Sequence, residues 1–307
     1  RSFMKAAVYY TNSDVRVEEV PKPEAGAGEL IMKTDTCGIC VADTMEWYNK
    51  PKAPVVLGHQ AVGYVDEVGE GVEDFKVGDR IFVHHHIACM SCEQCRKGHY
   101  TLCKQFKKTN YKPGGFAQYL KASSEHVKKD TIKIPDNVSF EEASLIEPLA
   151  CALHGIERLD VKPSDKIAVI GTGTIGLMLI ESLKAYGVSD IVAYEMIPWR
   201  QKVAKEKGAL DVRVADDDIE KELEILEEEF GWNQFDKVCV MAKDVRAMET
   251  GFKLTGKGGK LLLFATPAPE EYLIALNELD KGIAQTIGRG ECLKCIVKTQ
   301  EINKDKE

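Results

Sequence analysis

The densest chemistry in the chain lies within fifteen residues, where Cys89, Cys92, Cys95 and Cys103 follow one another as C-x2-C-x2-C-x7-C. Steps of this size let a loop wrap its thiolates around one tetrahedral Zn2+, and four sulfurs close the shell to water and substrate. The site this predicts is structural. An iron–sulfur cluster also takes four thiolates, but the ferredoxin run ends in C-x3-C-P and this one does not.

A second group is dispersed. Cys37 and Cys40 form C-x-x-C, a spacing used by redox pairs, yet such a pair opens a helix after a strand and this one sits in a β-rich stretch. A more economical grouping joins Cys37 with His59 of Gly58-His59-Gln60 and Glu147 of Glu147-Pro148. One thiolate, one imidazole and one carboxylate leave Zn2+ an open fourth position for a substrate oxygen.

The third group is Gly171-Thr172-Gly173-Thr174-Ile175-Gly176, a G-x-G-x-x-G run that follows an apolar segment and opens a helix-like one. The glycines permit a tight turn and close approach of a pyrophosphate, which rests on the amides of the helix N-terminus. Glu195 lies 19 residues beyond Gly176, at the end of the next apolar run, with Arg200 five residues further on. A carboxylate there accepts hydrogen bonds from ribose hydroxyls and repels a 2′-phosphate, so NAD is expected rather than NADP.

The elements that must position these groups fall into two halves. Residues 4–153 contain short apolar runs such as Ala6-Ala7-Val8-Tyr9-Tyr10 and Val62-Gly63-Tyr64-Val65, separated by Gly, Pro and Asp, which predicts a strongly bent sheet or partial barrel. From Asp165 the pattern alternates between buried runs (167–170, 191–194, 238–241, 260–264) and helix-like segments (175–186, 198–207, 218–230). That alternation predicts a parallel, doubly wound α/β sheet. The acidic stretch 219–229 reads as a solvated helix face.

The 307 residues are 44% hydrophobic and carry 41 Lys plus Arg against 49 Asp plus Glu, so no basic surface for nucleic acid is expected. No run approaches the roughly 20 apolar residues of a membrane span. Met4 reads as the natural start, and Arg1, Ser2 and Phe3 are set aside. Without a basic-then-apolar leader the expected location is the cytoplasm, where ten cysteines favour metal binding over disulfides.

Taken together, the chain resembles the zinc-dependent medium-chain dehydrogenase/reductase family, which includes alcohol, sorbitol and threonine dehydrogenases. The likeness runs through Cys37-Gly38-Ile39-Cys40 with Asp43, Gly58-His59, Val68-Gly69, Val77-Gly78-Asp79-Arg80, the four-cysteine lobe, Gly114-Gly115-Phe116-Ala117, Glu147-Pro148 and the glycine-rich turn. It implies a GroES-like catalytic domain over 4–153 with a structural zinc lobe at about 86–104, and a NAD-binding Rossmann domain over 154–280. Segment 281–307 would return to the catalytic domain, with 290–297 as a closing strand. The resemblance also implies an active site in the cleft between the domains and a homo-oligomer, dimer or tetramer.

By the same resemblance Cys37, His59 and Glu147 hold a catalytic zinc, and Asp43 accepts the other ring N–H of His59. Cys151, close to Glu147, reads as a core cysteine, and no motif asks for Cys40. The expected reaction is NAD-dependent oxidation of a secondary alcohol, a polyol or sugar-derived one, with reversible ketone reduction. Zinc would polarise the substrate oxygen while hydride passes to the nicotinamide. The alternatives are a threonine dehydrogenase-like enzyme and a zinc-stabilised NAD-binding protein with little activity.

Three departures from the family pattern stand out. Ala42 replaces the usual Ser or Thr that relays the alcohol proton, and Gln60 replaces the carboxylate of Gly-His-Glu. A shortening falls between Leu279 and Lys281. His84, His85 and His86 are candidate substitutes for the relay, and alternation sends His84 and His86 to one face and His85 to the other.

Overall fold

A computed structural model of the chain describes residues 2–214, 218–265 and the strand 295–298. The chain divides into two compact units at Pro148/Leu149.

In the first unit, strand Phe3–Thr11 alternates as its sequence requires: Met4, Ala6 and Val8 point inward against Val56 and Ala117. It pairs antiparallel with Asp14–Pro21 and Val55–Val56 in a three-stranded sheet. A five-stranded antiparallel sheet runs in the order Tyr119–Ala122, Leu30–Gly38, Gln60–Val68, Arg80–Val83, Thr131–Lys133. Leu30, Met32, Ala61, Val65, Ile81, Val83, Tyr111 and Leu120 form its core.

The pairing of Leu30–Gly38 with Gln60–Val68 slips at Ile31/Met32 and again at Thr34/Thr36. Such bulges bend a strand and increase its twist, which gives the curvature expected from the sequence. At the second slip the backbones close on Gly63, where a Cβ would stand 2.0 Å from the Lys33 carbonyl oxygen. Replacing Gly63 by Ala should therefore destabilise this sheet by about 2 kcal/mol or more, and chemical denaturation measures it; an unchanged midpoint would show that the bulge can shift at no cost.

The second unit holds a six-stranded sheet in the order Asp211–Arg213, Ile191–Tyr194, Ile167–Ile170, Phe235–Val240, Thr255–Leu263, Cys295–Lys298. The first five strands are parallel. Ile167–Ile170 and Ile191–Tyr194 are buried along their whole length, because helices cover both faces. Leu179, Ile180 and Leu183 of helix Thr174–Ala185 pack with Ile167, Val169 and Ile191 on one side. Ala168, Val192 and Val238 meet Leu226 of helix Ile219–Phe230 on the other. The strand order reverses beside Ile167–Ile170, the switch point at which open α/β sheets bind ligands.

Two details differ from the sequence reading. Helix Ile219–Phe230 does expose Glu220, Glu224, Glu227, Glu228 and Glu229, but Glu222 is buried. Its carboxylate accepts the Tyr194 hydroxyl at 3.1 Å and faces Arg213 at 3.3 Å, which offsets the cost of burying the charge. Within 281–307, expected to return to the catalytic domain, Cys295–Lys298 instead pairs antiparallel with Thr255–Leu263 of the second sheet. That strand's far edge offers unpaired backbone groups that an added strand satisfies. The shortening between Leu279 and Lys281 and the start of the closing strand lie outside the described residues.

Candidate metal centres and cofactor turn

The four-cysteine loop brings its sulfurs together within 4.8 Å of one another. Cys89 and Cys95 are 3.9 Å apart, and Cys92 and Cys95 are 3.5 Å apart. A tetrahedral shell with Zn–S bonds of about 2.3 Å spaces its sulfurs by about 3.8 Å, so the residues fit zinc. Backbone N–H groups complete the loop: that of Cys89 points at the Cys103 sulfur and that of Cys92 at the Cys89 sulfur, both at 3.3 Å. The N–H groups of Ser91 and Cys92, with the Ser91 hydroxyl, favour the Cys89 thiolate, whereas burial raises Cys95. The lobe is tied down where Thr109 Oγ1 accepts the Ile87 N–H at 2.7 Å and Thr109 O pairs with His86 Nδ1 at 2.6 Å.

Cys37, His59 and Glu147 are arranged differently. Among the described residues, the four cysteines are the only such group already gathered at ligand spacing. The other three are neighbours through their supports. Strand pairing sets Cys37 opposite Ala61 and Gly38 opposite Gln60, so Cys37 stands beside the segment carrying His59. The Gly115 N–H donates to Gly58 O at 2.9 Å and closes the third side. A Cβ at Gly115 would lie 2.7 Å from the Cys37 sulfur and 2.9 Å from Gly58 O.

Glu147, in the first turn of helix Ile146–Leu159, accepts the Gln60 side-chain amide at 3.2 Å. Asp43 lies with Oδ1 3.6 Å from His59 Nδ1, and it takes the N–H groups of Cys40 at 2.9 Å and Gly58 at 3.4 Å.

Burial and neighbours shift both Cys37 and His59. Burial pushes the Cys37 thiol up to about 12, against the Gln60 N–H. Burial opposes charge on His59, but Asp43 and Cys40 beside it push the imidazole up to about 10. Tyr111, almost wholly buried, is raised well above the ordinary phenol range by burial and further by Cys37, Glu147 and Asp43. Asp43 raises the Cys37 thiol further, and a divalent ion beside the sulfur would oppose both effects. A thiolate, an imidazole and a carboxylate suit zinc.

The contact between Cys40 and His59 was not anticipated; the C-x-x-C spacing was the only signal for it. Cys151 is partly buried on the same helix as Glu147. Ala42 lies in the short 3-10 helix Val41–Thr44, where its carbonyl accepts the Asn49 amide at 2.7 Å. The three histidines do not divide as alternation predicts, because the strand ends at Val83: the ring of His85 lies 4.8 Å from that of His84 and 4.1 Å from that of His86, as well as 4.9 Å from that of His59, while His84 and His86 lie 6.0 and 5.2 Å from Phe106. His84 and His86 commit Nδ1 to the carbonyls of His86 and Thr109, both at 2.6 Å. His85 Nδ1 is buried with no hydrogen-bond partner among the described residues.

In the second unit, Gly171 adopts φ +93° and its N–H donates to Tyr194 O at 2.8 Å, which folds the turn over the strand end. Gly173 caps helix Thr174–Ala185. A Cβ at Gly176 would come 2.2 Å from Gly171 O, so the helix can approach this closely only with glycine. Thr172, Gly173, Thr174, Trp199 and Arg200 line a cleft beside the turn.

Glu195 is buried, and one carboxylate oxygen accepts both the N–H and the hydroxyl of Thr172 while the other accepts the N–H groups of Met196 and Ile197, all at 2.9 Å. Burial works to raise its pKa, but the donors prevail and hold it low. Its roughly four acceptor positions are thus engaged in shaping the turn. What remains for discrimination is its charge rather than a free lone pair.

Comparison with known proteins agrees with this architecture. Residues 26–136 match the family described as "Alcohol dehydrogenase GroES-like domain", and residues 174–286 match "Zinc-binding dehydrogenase". The chain is 32% identical over 292 residues to sorbitol dehydrogenase of Bacillus subtilis (strain 168), covering 90% of this chain and 80% of that protein. It is 34% identical over 285 residues to an alcohol dehydrogenase of Geobacillus stearothermophilus, covering 89% of this chain and 80% of the relative. The crystal structure of 2R,3R-butanediol dehydrogenase from Bacillus subtilis superposes with a TM-score of 0.70 at 34% identity, covering 83% of this chain and 75% of that one. The fold is a GroES-like domain joined to a doubly wound Rossmann-type domain. The chain belongs to the zinc-dependent medium-chain dehydrogenase/reductase family.

Proposed function

We propose that this protein oxidises a secondary alcohol, a polyol or sugar-derived one, with NAD as acceptor, and reduces the corresponding ketone in reverse. The observation that supports the reading is the strand pairing that sets Cys37 beside the segment of His59, with Asp43 Oδ1 3.6 Å from His59 Nδ1 and Gln60 hydrogen-bonded to Glu147. Cys37, His59 and Glu147 would hold Zn2+, while Cys89, Cys92, Cys95 and Cys103 hold a structural zinc. When bound, zinc supplies Lewis acidity at the substrate oxygen and NAD supplies a two-electron acceptor.

The chain's own residues do the rest. Asp43 favours the Nδ1–H tautomer of His59 and leaves Nε2 as the ligand atom. Gly171, Gly173 and Gly176 let the amides at Thr174 and Ile175 receive the pyrophosphate. The Glu195 charge would disfavour a 2′-phosphate, and Arg200 lines the cleft beside the turn. Among the described residues no helix is long and apolar enough to cross a membrane. We take the active form to be a cytoplasmic homo-oligomer acting on a small-molecule alcohol or ketone.

The test is the initial rate of nicotinamide reduction by the zinc-loaded chain over polyols, simple secondary alcohols and L-threonine. Fastest turnover on a polyol with NAD is the expected result; preference for L-threonine would shift the substrate class to an amino alcohol. Binding of zinc and NAD without turnover on any alcohol would overturn the reading.

Two variants sharpen it. Glu195→Ala should raise the affinity for NADP relative to NAD by about tenfold, because charge repulsion over about 4 Å is on the order of 1 to 4 kcal/mol at this depth. A wild type that already prefers NADP would contradict this. Ala42→Ser should raise the rate of alcohol oxidation and shift its pH profile, since a positioned proton acceptor is worth about a hundredfold or more. An unchanged profile would mean that protons already leave efficiently by another route.

A further inference from the structure

Gln60 stands where the family pattern has a carboxylate, and the fold gives it a specific task. It is 5% exposed and opens strand Gln60–Val68, directly after His59. Its partner across the sheet is Gly38, whose missing side chain makes room: a Cβ there would lie 2.3 Å from Gln60 Oε1 and 3.3 Å from its Cδ. The amide therefore lies against the end of strand Leu30–Gly38 and cannot swing outward. From that position Nε2 donates to Glu147 Oε2 at 3.2 Å, across 87 residues of sequence.

We propose that Gln60 is the positioning residue of the open metal site, its side-chain amide holding the Glu147 carboxylate in place from the strand end that pairs beside Cys37. This rests on the reading of Cys37, His59 and Glu147 as metal ligands. Residues 59 and 60 then act together, one as ligand and the other as support for Glu147. A neutral donor suits the task. It fixes a carboxylate oxygen without adding a second negative charge a few ångströms away. Partners of this kind change metal affinity by about 10- to 100-fold when removed.

The experiment compares the full chain with Gln60→Met, which keeps the bulk but removes the donor, and Gln60→Asn, which keeps the amide but is too short to reach Glu147. Zn2+ affinity is measured by chelator competition, and the open site is then loaded with Co2+ for its absorption spectrum. In both variants one zinc should be held about 10- to 100-fold more weakly, and the cobalt bands should shift because Glu147 is no longer held. The four-cysteine zinc should be unaffected. Wild-type affinity and spectrum in either folded variant would overturn the proposal, and the two variants cover one another should one fail to fold. Cys37→Ser separates the two claims: loss of one zinc there with no change in the Gln60 variants sinks only the role of Gln60, whereas full metal content in Cys37→Ser removes the open site itself.

Discussion

Cys92→Ser should lose one zinc per chain and release the loop between Ile87 and Thr109, leaving both sheets folded. The lobe has little else to hold it: its apolar contacts amount to Ala88, Phe106 and the cysteines themselves. Structural zinc sites bind with apparent free energies of about 10–16 kcal/mol near neutral pH. Removing one of four thiolates should therefore cost several kcal/mol of local stability, far more than a typical single substitution. Hydrogen exchange reads this directly, with protection lost in the lobe and kept in the strands. Retained protection and retained zinc together would show that the loop is held by packing alone.

Cys37→Ser should reduce turnover by more than about a hundredfold with no comparable loss of fold. The bound is set by the supporting residues of metal sites, whose removal alone costs about 10- to 100-fold; loss of a ligand must cost at least as much. The sulfur lies against Gly115 at the end of strand Leu30–Gly38, and the smaller serine hydroxyl fits the same space. Activity within tenfold of wild type at equal zinc content would remove Cys37 from the chemistry. The contrast between the two variants is the point: one cysteine serves the fold, the other the reaction.

What was legible in the sequence is what local geometry encodes. The steps between Cys89, Cys92, Cys95 and Cys103 fix sulfur spacing through the loop itself, and the sulfurs meet as expected. The run Gly171 to Gly176 behaves likewise, because a tight turn between a strand and a helix is settled by a few dihedral angles. Alternation, by contrast, stops with the strand at Val83, and the rings of His84 and His86 lie 4.8 and 4.1 Å from that of His85.

What was not legible depends on register and long-range packing. The Gln60 contact to Glu147 exists because two bulges set the pairing of Leu30–Gly38 with Gln60–Val68, and no spacing rule announces a bulge. Glu222 was hidden among exposed glutamates, since its burial follows from Tyr194 and Arg213 on neighbouring strands. Glu195 was placed correctly at the strand end, but its four donors, two from Thr172 in the turn it faces and two from the following Met196 and Ile197, could be seen only once the chain was folded.

The central claim is that one chain carries two metal sites of unequal character, one closed by four sulfurs and one left open for substrate. The most direct measurement is zinc content per chain of the purified wild type and of Cys37→Ser, taken on samples shown to be folded. The account predicts two zinc ions in the wild type and one in the variant, with the remaining ion resistant to exchange. One zinc in the wild type, or two in the variant, would contradict it.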